Sequence, residues 1–260
     1  MIQFYKYQGT GNDFVMIDGR EQKPDLSTAQ IAAICMRRFG VGADGLIILE
    51  NAEGYDFRMI YYNADGNEGS MCGNGGRCTV KFAHDLGIFE KTTRFIAVDG
   101  PHEAEIHGPN IHLKMSDTAA MVKRNGANFY DTGSPHVVLY VEDVNSEPVE
   151  LNGKTIRYCE YWENHGGTNV NFVEITGSQS IKVRTYERGV EAETYSCGTG
   201  VTACALDAWQ SFAMPSPIAI ETLGGNLKVS FEQKEDGDFT NIWLQGPAKP
   251  VFQGEWTFLK

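Results

Sequence analysis

Two tetrapeptides of one pattern, Cys72-Gly73-Asn74-Gly75 and Cys197-Gly198-Thr199-Gly200, stand 125 residues apart in a chain of 260. Each heads a segment with helical spacing, about Asn74 to Leu86 and about Thr199 to Phe212. Several strand-like runs precede each segment, and more follow it. A repeat of nearly half the chain predicts two similar halves, each a curved, mostly antiparallel sheet wrapped around one central helix. The expected fold class is α/β of the α+β type, with two pseudo-symmetric domains. Residues 1–117 plus a C-terminal strand at about 250–260 would form the half with Cys72. Residues 118–249 would form the half with Cys197.

The strand signals are β-branched and aromatic runs cut by turn residues. They are "IQFYKYQ", "DFVMID", "LIILE", "DFRMIYYN", "RFIAVDG", "AEIHG", "NIHLKM", "HVVLYVE", "NFVEITG", "SIKVRTYE", "IAIETLGG", "LKVSFEQ", "NIWLQGP" and "EWTFL". Many alternate, so one sheet face should be buried. Besides the two central helices, "STAQIAAICMRRF" reads as a helix with Ser27 as N-cap. Gly87 should stop the first central helix, and Pro215 and Pro217 the second. The segment "TGVTACALDAWQSF" is apolar nearly all round and should be buried on most of its circumference.

A net charge of −12 opposes binding to phosphate backbones, so nucleic acid is not an expected partner. The N-terminus lacks an apolar signal core, and no run approaches the ~20 apolar residues of a membrane helix. These features point to a cytoplasmic protein that does not contact membranes. In a reducing compartment Cys35, Cys72, Cys78, Cys159, Cys197 and Cys204 are core fillers, metal ligands or reactive thiols.

The two matched thiols favour chemistry. A helix N-terminus carries unpaired N–H groups and about half a positive charge, which stabilise a thiolate. The glycines after each cysteine leave room for a carboxylate to approach those N–H groups. With the halves face to face, a small acid in the cleft would have one cysteine on each side. That arrangement suits inversion at a carbon α to a carboxylate, with one thiolate removing a proton and the other thiol delivering one. The helix termini would stabilise the charge as it develops. For Cys35, Cys78, Cys159 and Cys204 the ordinary reading is a small buried hydrophobe. Neither Cys72/Cys78 nor Cys197/Cys204 has the C-x2-C spacing of a zinc site. "GTGNDF" and "GNGG" lack the Gly-Lys-Ser/Thr of a phosphate loop.

Taken together, these motifs resemble the diaminopimelate epimerase family, a group of cofactor-independent amino-acid epimerases. The resemblance runs through "GTGNDFVMID" (9–18), "GVGADGLIIL" (40–49), "YYNADGNEGSMCGNGGRC" (61–78), "TGSPHVV" (132–138), "TNVNFVE" (168–174), "YERGVEAETYSCGTG" (186–200) and "GPA" (246–248). It implies epimerisation of LL-2,6-diaminopimelate to the meso form, for lysine and peptidoglycan precursors, without pyridoxal phosphate or metal. It implies a homodimer. By position, Cys72 and Cys197 would be the acid–base pair, Gly73-Asn74 and Gly198-Thr199 would hold the reacting carboxylate, and Asn12, Asn63, Asn169 and Arg188 would line the substrate site. Glu187 would face the reacting ammonium, and His136 would assist catalysis. By itself His136 reads as a structural histidine.

The chain departs from the family pattern at three places. Gly45 stands where some members have a glutamine that contacts substrate, Ser134 stands where many have an asparagine, and "GVEAETYS" is one residue longer than the commonest family form. Other readings stay open. A proline or hydroxyproline racemase usually has histidine where Asn74 stands, and phenazine-type isomerases lack the cysteine pair. A non-enzymatic zinc or disulfide protein would show metal or protected thiols. Oxidation is expected to join Cys72 to Cys197 reversibly.

Overall fold

The turn after the first strand shows how the chain begins to build. In the computed structural model, which describes residues 1–258, β1 (Ile2–Gly9) and β2 (Asn12–Asp18) pair antiparallel across Thr10-Gly11. Both turn residues have positive φ, 50° and 83°. This is the mirror-image turn whose twist suits a two-residue hairpin. The turn leaves Thr10 buried.

β2 runs parallel to β3 (Gly45–Ala52), which needs a crossover, and α1 (Thr28–Cys35) supplies it. Ser27 caps α1 in a reciprocal capping box with Gln30. The helix stops four residues short of the expected Phe39, because Met36 is already extended. β3 pairs antiparallel with β4 (Tyr55–Asn63). The central helix α2 (Gly73–Asp85) then crosses to β5 (Thr92–Ala97), which lies parallel to β4. β6 (Gly100–His107) and β7 (Asn110–Lys114) continue as an antiparallel meander. The chain's last strand, Lys249–Trp256, pairs antiparallel with β1.

The second half starts with β8 (Val122–Arg124), β9 (Ala127–Asp131) and β10 (Pro135–Tyr140), all antiparallel. α3 (Val149–Arg157) and α4 (Glu160–Asn164) cross to β11 (Asn169–Gly177), parallel to β10. β12 (Ser180–Glu187) pairs antiparallel with β11 and with the short β13 (Ala192–Thr194). α5 (Gly198–Phe212) leads to β14 (Ile218–Thr222), parallel to β12. β15 (Gly225–Gln233) and β16 (Phe239–Pro247) close an antiparallel meander, and β17 is the strand Lys249–Trp256.

The internal repeat therefore extends to the sense of every ladder. β1 to β7 and β9 to β16 both run antiparallel, parallel, antiparallel, parallel, then a meander, with the central helix at the second parallel crossover. The chain divides into two compact units, Met1–Leu113 with the segment from Gly246 onward, and Lys114–Gln245.

In each unit the strands pack around the central helix. α2 contacts β1 to β4 and β17, and α5 contacts β9 to β12, β14 and β15. Val201, Ala203, Cys204, Ala205, Leu206 and Ala208 of α5 are buried with Val183, Ile218, Val229 and Leu244. Burying a side chain such as Leu206 contributes about 1.5–3 kcal/mol. Asp207 is buried too, and its carboxylate accepts from Asn128 (2.9 Å) and Tyr130 (3.2 Å).

Several elements differ from the sequence expectation. α5 ends at a left-handed Ala213 (φ 53°) rather than being cut by Pro215 or Pro217. α2 does end before a left-handed Gly87 (φ 72°). α3, α4, β8, β9 and β13 were not expected: they are short or polar, and α3 carries Gly153 where the helix meets Tyr186. The final strand, Lys249–Trp256, starts near the expected 250 and earlier than the run "EWTFL", and Leu259 lies outside the described residues. No described helix is long and apolar enough to cross a membrane.

Candidate active site

Cys72 occupies the N-cap of α2, with extended backbone (φ −115°, ψ 149°). Its Sγ accepts from the Gly75 N–H at 3.2 Å. Gly75 is closely packed: a Cβ there would lie 3.2 Å from Cys72 Sγ, 3.3 Å from Met59 and 3.4 Å from Ile47. One helix N–H thus serves the sulfur rather than being left open for a ligand. Asn74, also buried, donates from Nδ2 to Asn12 Oδ1 at 3.3 Å. Asn12 in turn donates to Asp44 Oδ2 at 2.6 Å. Arg37 bridges Asp44 (2.8 Å) and Asp13 (2.6 Å), and Lys6 meets Asp13 at 2.7 Å. Burial pushes the Asp13 carboxyl up, but Arg37 and Lys6 outweigh it and hold it below the ordinary range. The aspartates of "GTGND" and "GVGAD" therefore tie two loops together beside Asn12.

Cys197 occupies the N-cap of α5 (φ −115°, ψ 114°). Its sulfur lies 3.5 Å from Thr199 Oγ1, which is 2.9 Å from His136 Nε2. His136 is fully buried, with Nδ1 3.2 Å from Asn171 Nδ2. Asn171 Oδ1 accepts from Thr185 at 2.9 Å, and its Nδ2 also donates to the Val137 carbonyl. That fixes the amide, so His136 accepts at Nδ1 and carries its proton on Nε2. His136 Nε2–H then donates to Thr199, whose own proton is free to point at the Cys197 sulfur. Burial, with the Arg188 charge adding to it, lowers the His136 pKa to about 3. The ring is neutral at neutral pH. Gly200 belongs to this packing: a Cβ there would lie 2.6 Å from Asn171 Oδ1 and 3.2 Å from His136.

The structure brings Asn12, Asn74 and Cys72 together in one unit, and His136, Thr199, Gly198 and Cys197 in the other. Gly73 and Gly198 are the first residues of α2 and α5. Asn63 is exposed at the end of β4, directly opposite Gly45. Asn169 has both amide ends engaged: Oδ1 accepts from Arg188 N (2.8 Å), and Nδ2 donates to Ser134 Oγ (2.9 Å) and Pro135 O (2.8 Å). Its placement is that of a scaffold for Arg188, whose side chain donates to the Gly166 carbonyl. Glu187 ends β12. Sequence reasoning missed Asn171, Arg77 and Asp44. The hidden signals were "NVN" on a buried strand and the arginine inside "GNGGRC". One described cluster has metal-ligand chemistry, Glu105, His107 and His112 on the β6–β7 hairpin. It contains none of the expected site residues.

The description of one family model, diaminopimelate epimerase, fits residues 4–122 and 129–249. The chain belongs to the diaminopimelate epimerase family. It is 49% identical to the diaminopimelate epimerase of Flavobacterium psychrophilum, with 97% of this chain and 99% of the relative covered. It is 44% identical to that of Chlorobaculum tepidum, covering 96% and 99%. Among solved structures, a phenazine biosynthesis protein of the PhzF family from Bacillus anthracis matches with TM-score 0.77 at 15% identity, covering 99% of each chain. A hydroxyproline epimerase from Agrobacterium vitis matches with TM-score 0.70 at 13% identity, covering 97% and 91%. These two share the fold.

The structure shows the surroundings of the three positions where the sequence reading expects this diaminopimelate epimerase family member to differ. At Gly45 any side chain would run into the Tyr61 ring and the Tyr62 carbonyl, so the position is closed to glutamine. Ser134 is the partner that holds the Asn169 amide. The segment "GVEAETYS" begins in the hairpin loop between Glu187 and Ala192, which pair across it. Gly189 and Glu191 take positive φ there, and Glu191 Oε1 accepts from Gly189 N at 3.0 Å.

Proposed function

We propose that the protein is a diaminopimelate epimerase that inverts one α-carbon of 2,6-diaminopimelate by two-base catalysis with Cys72 and Cys197. The observation that carries this reading is the matched pair of cysteines, each the N-cap of the central helix in a unit of the same ladder order. One thiolate removes the α-proton from one face, and the other thiol delivers a proton to the opposite face. Donor and acceptor exchange with reaction direction. Gly73-Asn74 and Gly198-Thr199 present helix N–H groups to the reacting carboxylate, whose negative charge grows in the carbanionic intermediate. Glu187 faces the reacting ammonium. Arg188, set by Asn169, and the amides of Asn12 and Asn63 take the distal carboxylate and ammonium. His136 acts while neutral, by orienting the Thr199 hydroxyl toward Cys197.

The same reading gives a cytoplasmic homodimer in lysine and peptidoglycan precursor synthesis, working without pyridoxal phosphate. The deciding experiment incubates the protein with LL-diaminopimelate in D2O. Deuterium is expected at the α-carbon with formation of the meso isomer, and L-proline under the same conditions is expected to stay unlabelled. Cys72→Ala and Cys197→Ala are each expected to abolish epimerisation. Full activity in either variant refutes the two-base assignment.

A further inference from the structure

Arg77 lies five residues after Cys72 and is fully buried. Its Nη1 donates to the Gly73 carbonyl at 3.1 Å. Its Nη2 donates to Thr10 Oγ1 at 3.0 Å and to Asn74 Oδ1 at 2.9 Å. Every acceptor is neutral, and Nε is buried with no hydrogen-bond partner. Among the described residues no carboxylate pairs with it. A guanidinium enclosed by neutral acceptors is an unfavourable arrangement unless a countercharge forms nearby.

Two sulfurs are within electrostatic reach, Cys78 and Cys72. Burial pushes the Cys78 thiol far up despite Arg77, so it stays protonated. The carboxylates on the strands packed against α2 have partners of their own: Asp18 of β2 meets Arg20, Glu50 of β3 meets Lys23, and Asp56 of β4 accepts from Thr93. Asp13 of β2 is met by Lys6 and Arg37. Tyr7 of β1, raised by burial, donates to Asp85 at 2.8 Å. Tyr5 lies against Phe82. Asp85 also takes Lys81, and Ile47 of β3 and Met59 of β4 line Gly75. β17 carries Lys249 and Glu255, opposite Gln8 and Gln3. Cys72 is left as the group whose ionisation would answer the buried cation.

The repeat supplies an internal comparison. Thr202 lies five residues after Cys197, and its Oγ1 donates to the Gly198 carbonyl at 2.9 Å. The equivalent carbonyl receives a cation in one unit and a neutral hydroxyl in the other. The groups near Cys197 include the Thr199 hydroxyl at 3.5 Å, oriented by a neutral His136. Arg188 is exposed, where solvent screens its charge. A buried full charge outweighs a long hydroxyl contact.

We infer that Arg77 is a positioning residue for Cys72: it fixes Asn74 and Thr10 at the start of α2 and supplies the buried positive charge that makes Cys72 the more readily ionised of the two matched thiols. The inference rests on the proposed acid–base role of the pair, and the experiment reads the thiols themselves. Initial rates of iodoacetamide alkylation are followed against pH, with Cys72 and Cys197 resolved by peptide mass spectrometry. In wild-type protein the Cys72 midpoint is expected below that of Cys197. In Arg77→Met the Cys72 midpoint is expected to rise by about one pH unit, a roughly tenfold slower alkylation below the midpoint. The Cys197 midpoint is expected to stay in place. Arg77→Lys is expected to restore part of the shift, and the pH profile of kcat should follow Cys72. A wild-type Cys72 midpoint at or above that of Cys197 overturns the inference, and this comparison needs no variant to fold. So does a folded Arg77→Met protein with an unmoved Cys72. Should diaminopimelate show no α-exchange while alkylation behaves as expected, the proposed substrate is refuted and the role of Arg77 stands.

Discussion

His136 makes acid stability a direct test of the second unit's site. Burial and the Arg188 charge push its pKa from 6.5 to about 3, against a smaller opposing hydrogen bond from Asn171. The folded-state value is depressed, so between these limits the unfolded chain binds a proton that the folded chain refuses. Stability must then fall as pH falls below about 6.5. One pKa unit corresponds to about 1.4 kcal/mol, and between pH 7 and pH 5 the loss from this residue alone is about 2 kcal/mol. The lowered carboxyls of Asp13, Asp18 and Asp99 titrate at lower pH and contribute little in that window. His136→Gln keeps an amide that can reach Thr199 but cannot take up a proton. The variant should be less stable than wild type at pH 7 and should lack the 2 kcal/mol slope. Urea unfolding at both pH values, followed by tryptophan emission, measures this, since Trp162, Trp209 and Trp243 all lie in residues 114–245. Parallel stability-against-pH curves for the two proteins would refute the buried, neutral assignment, and with it the relay through Thr199.

Gly200→Ala places a methyl 2.6 Å from Asn171 Oδ1 and should cost about 2 kcal/mol of stability while lowering kcat through His136 and Thr199; thermal unfolding and steady-state kinetics read both. Gly45→Ala runs into Tyr61 and is expected to lower the melting temperature by a similar free energy, and unchanged stability would show that Tyr61 moves aside readily. Ser27→Ala breaks the capping box of α1, far along the chain from both cysteines, and should lose about 1 kcal/mol with kcat unchanged.

What was legible in the sequence follows the strength of local signals. The N-caps at Ser27, Cys72 and Cys197 and the all-round apolar face of α5 are encoded within a few residues, and they are where the structure places them. α3 was not legible because Pro148, Asn152 and Gly153 disfavour a helix locally; packing of Gly153 against Tyr186 overrides that preference. β13 is three residues long and exists through its register with β12. The glycines of the two repeat motifs were read as openings for a ligand. Gly75 is also closely packed against Met59, and at Gly200 a Cβ would meet Asn171 Oδ1 at 2.6 Å, so packing adds a second reason for small residues there. Asn171 and Arg77 were missed because a side chain's partners depend on tertiary placement. Nothing local distinguishes a buried amide that fixes a tautomer from an ordinary strand asparagine.

Acid–base catalysis by two thiols needs one sulfur ionised while the other is protonated, yet the fold gives both cysteines the same N-cap position. If two independent thiols had equal pKa values, the state with Cys72 ionised and Cys197 protonated would reach at most about a quarter of the molecules, with another quarter in the reverse state. A gap of about one unit raises the first share to more than half at its best pH. The repeat differs where such a gap can arise: Arg77 answers to Thr202, and Asn74 to Thr199. In the first unit a cation and a helix N–H favour the anion. In the second, a threonine oriented by a neutral histidine can give its hydrogen to the sulfur when the proton leaves and accept a thiol hydrogen when it returns. The second arrangement suits a thiol that begins protonated and must become a good anion only after it has delivered its proton. On this proposal the repeat gives both sulfurs the same N-cap position, and the differences at the second and fifth positions after each cysteine decide which of the two ionises more readily, while the direction of reaction decides which one takes the proton.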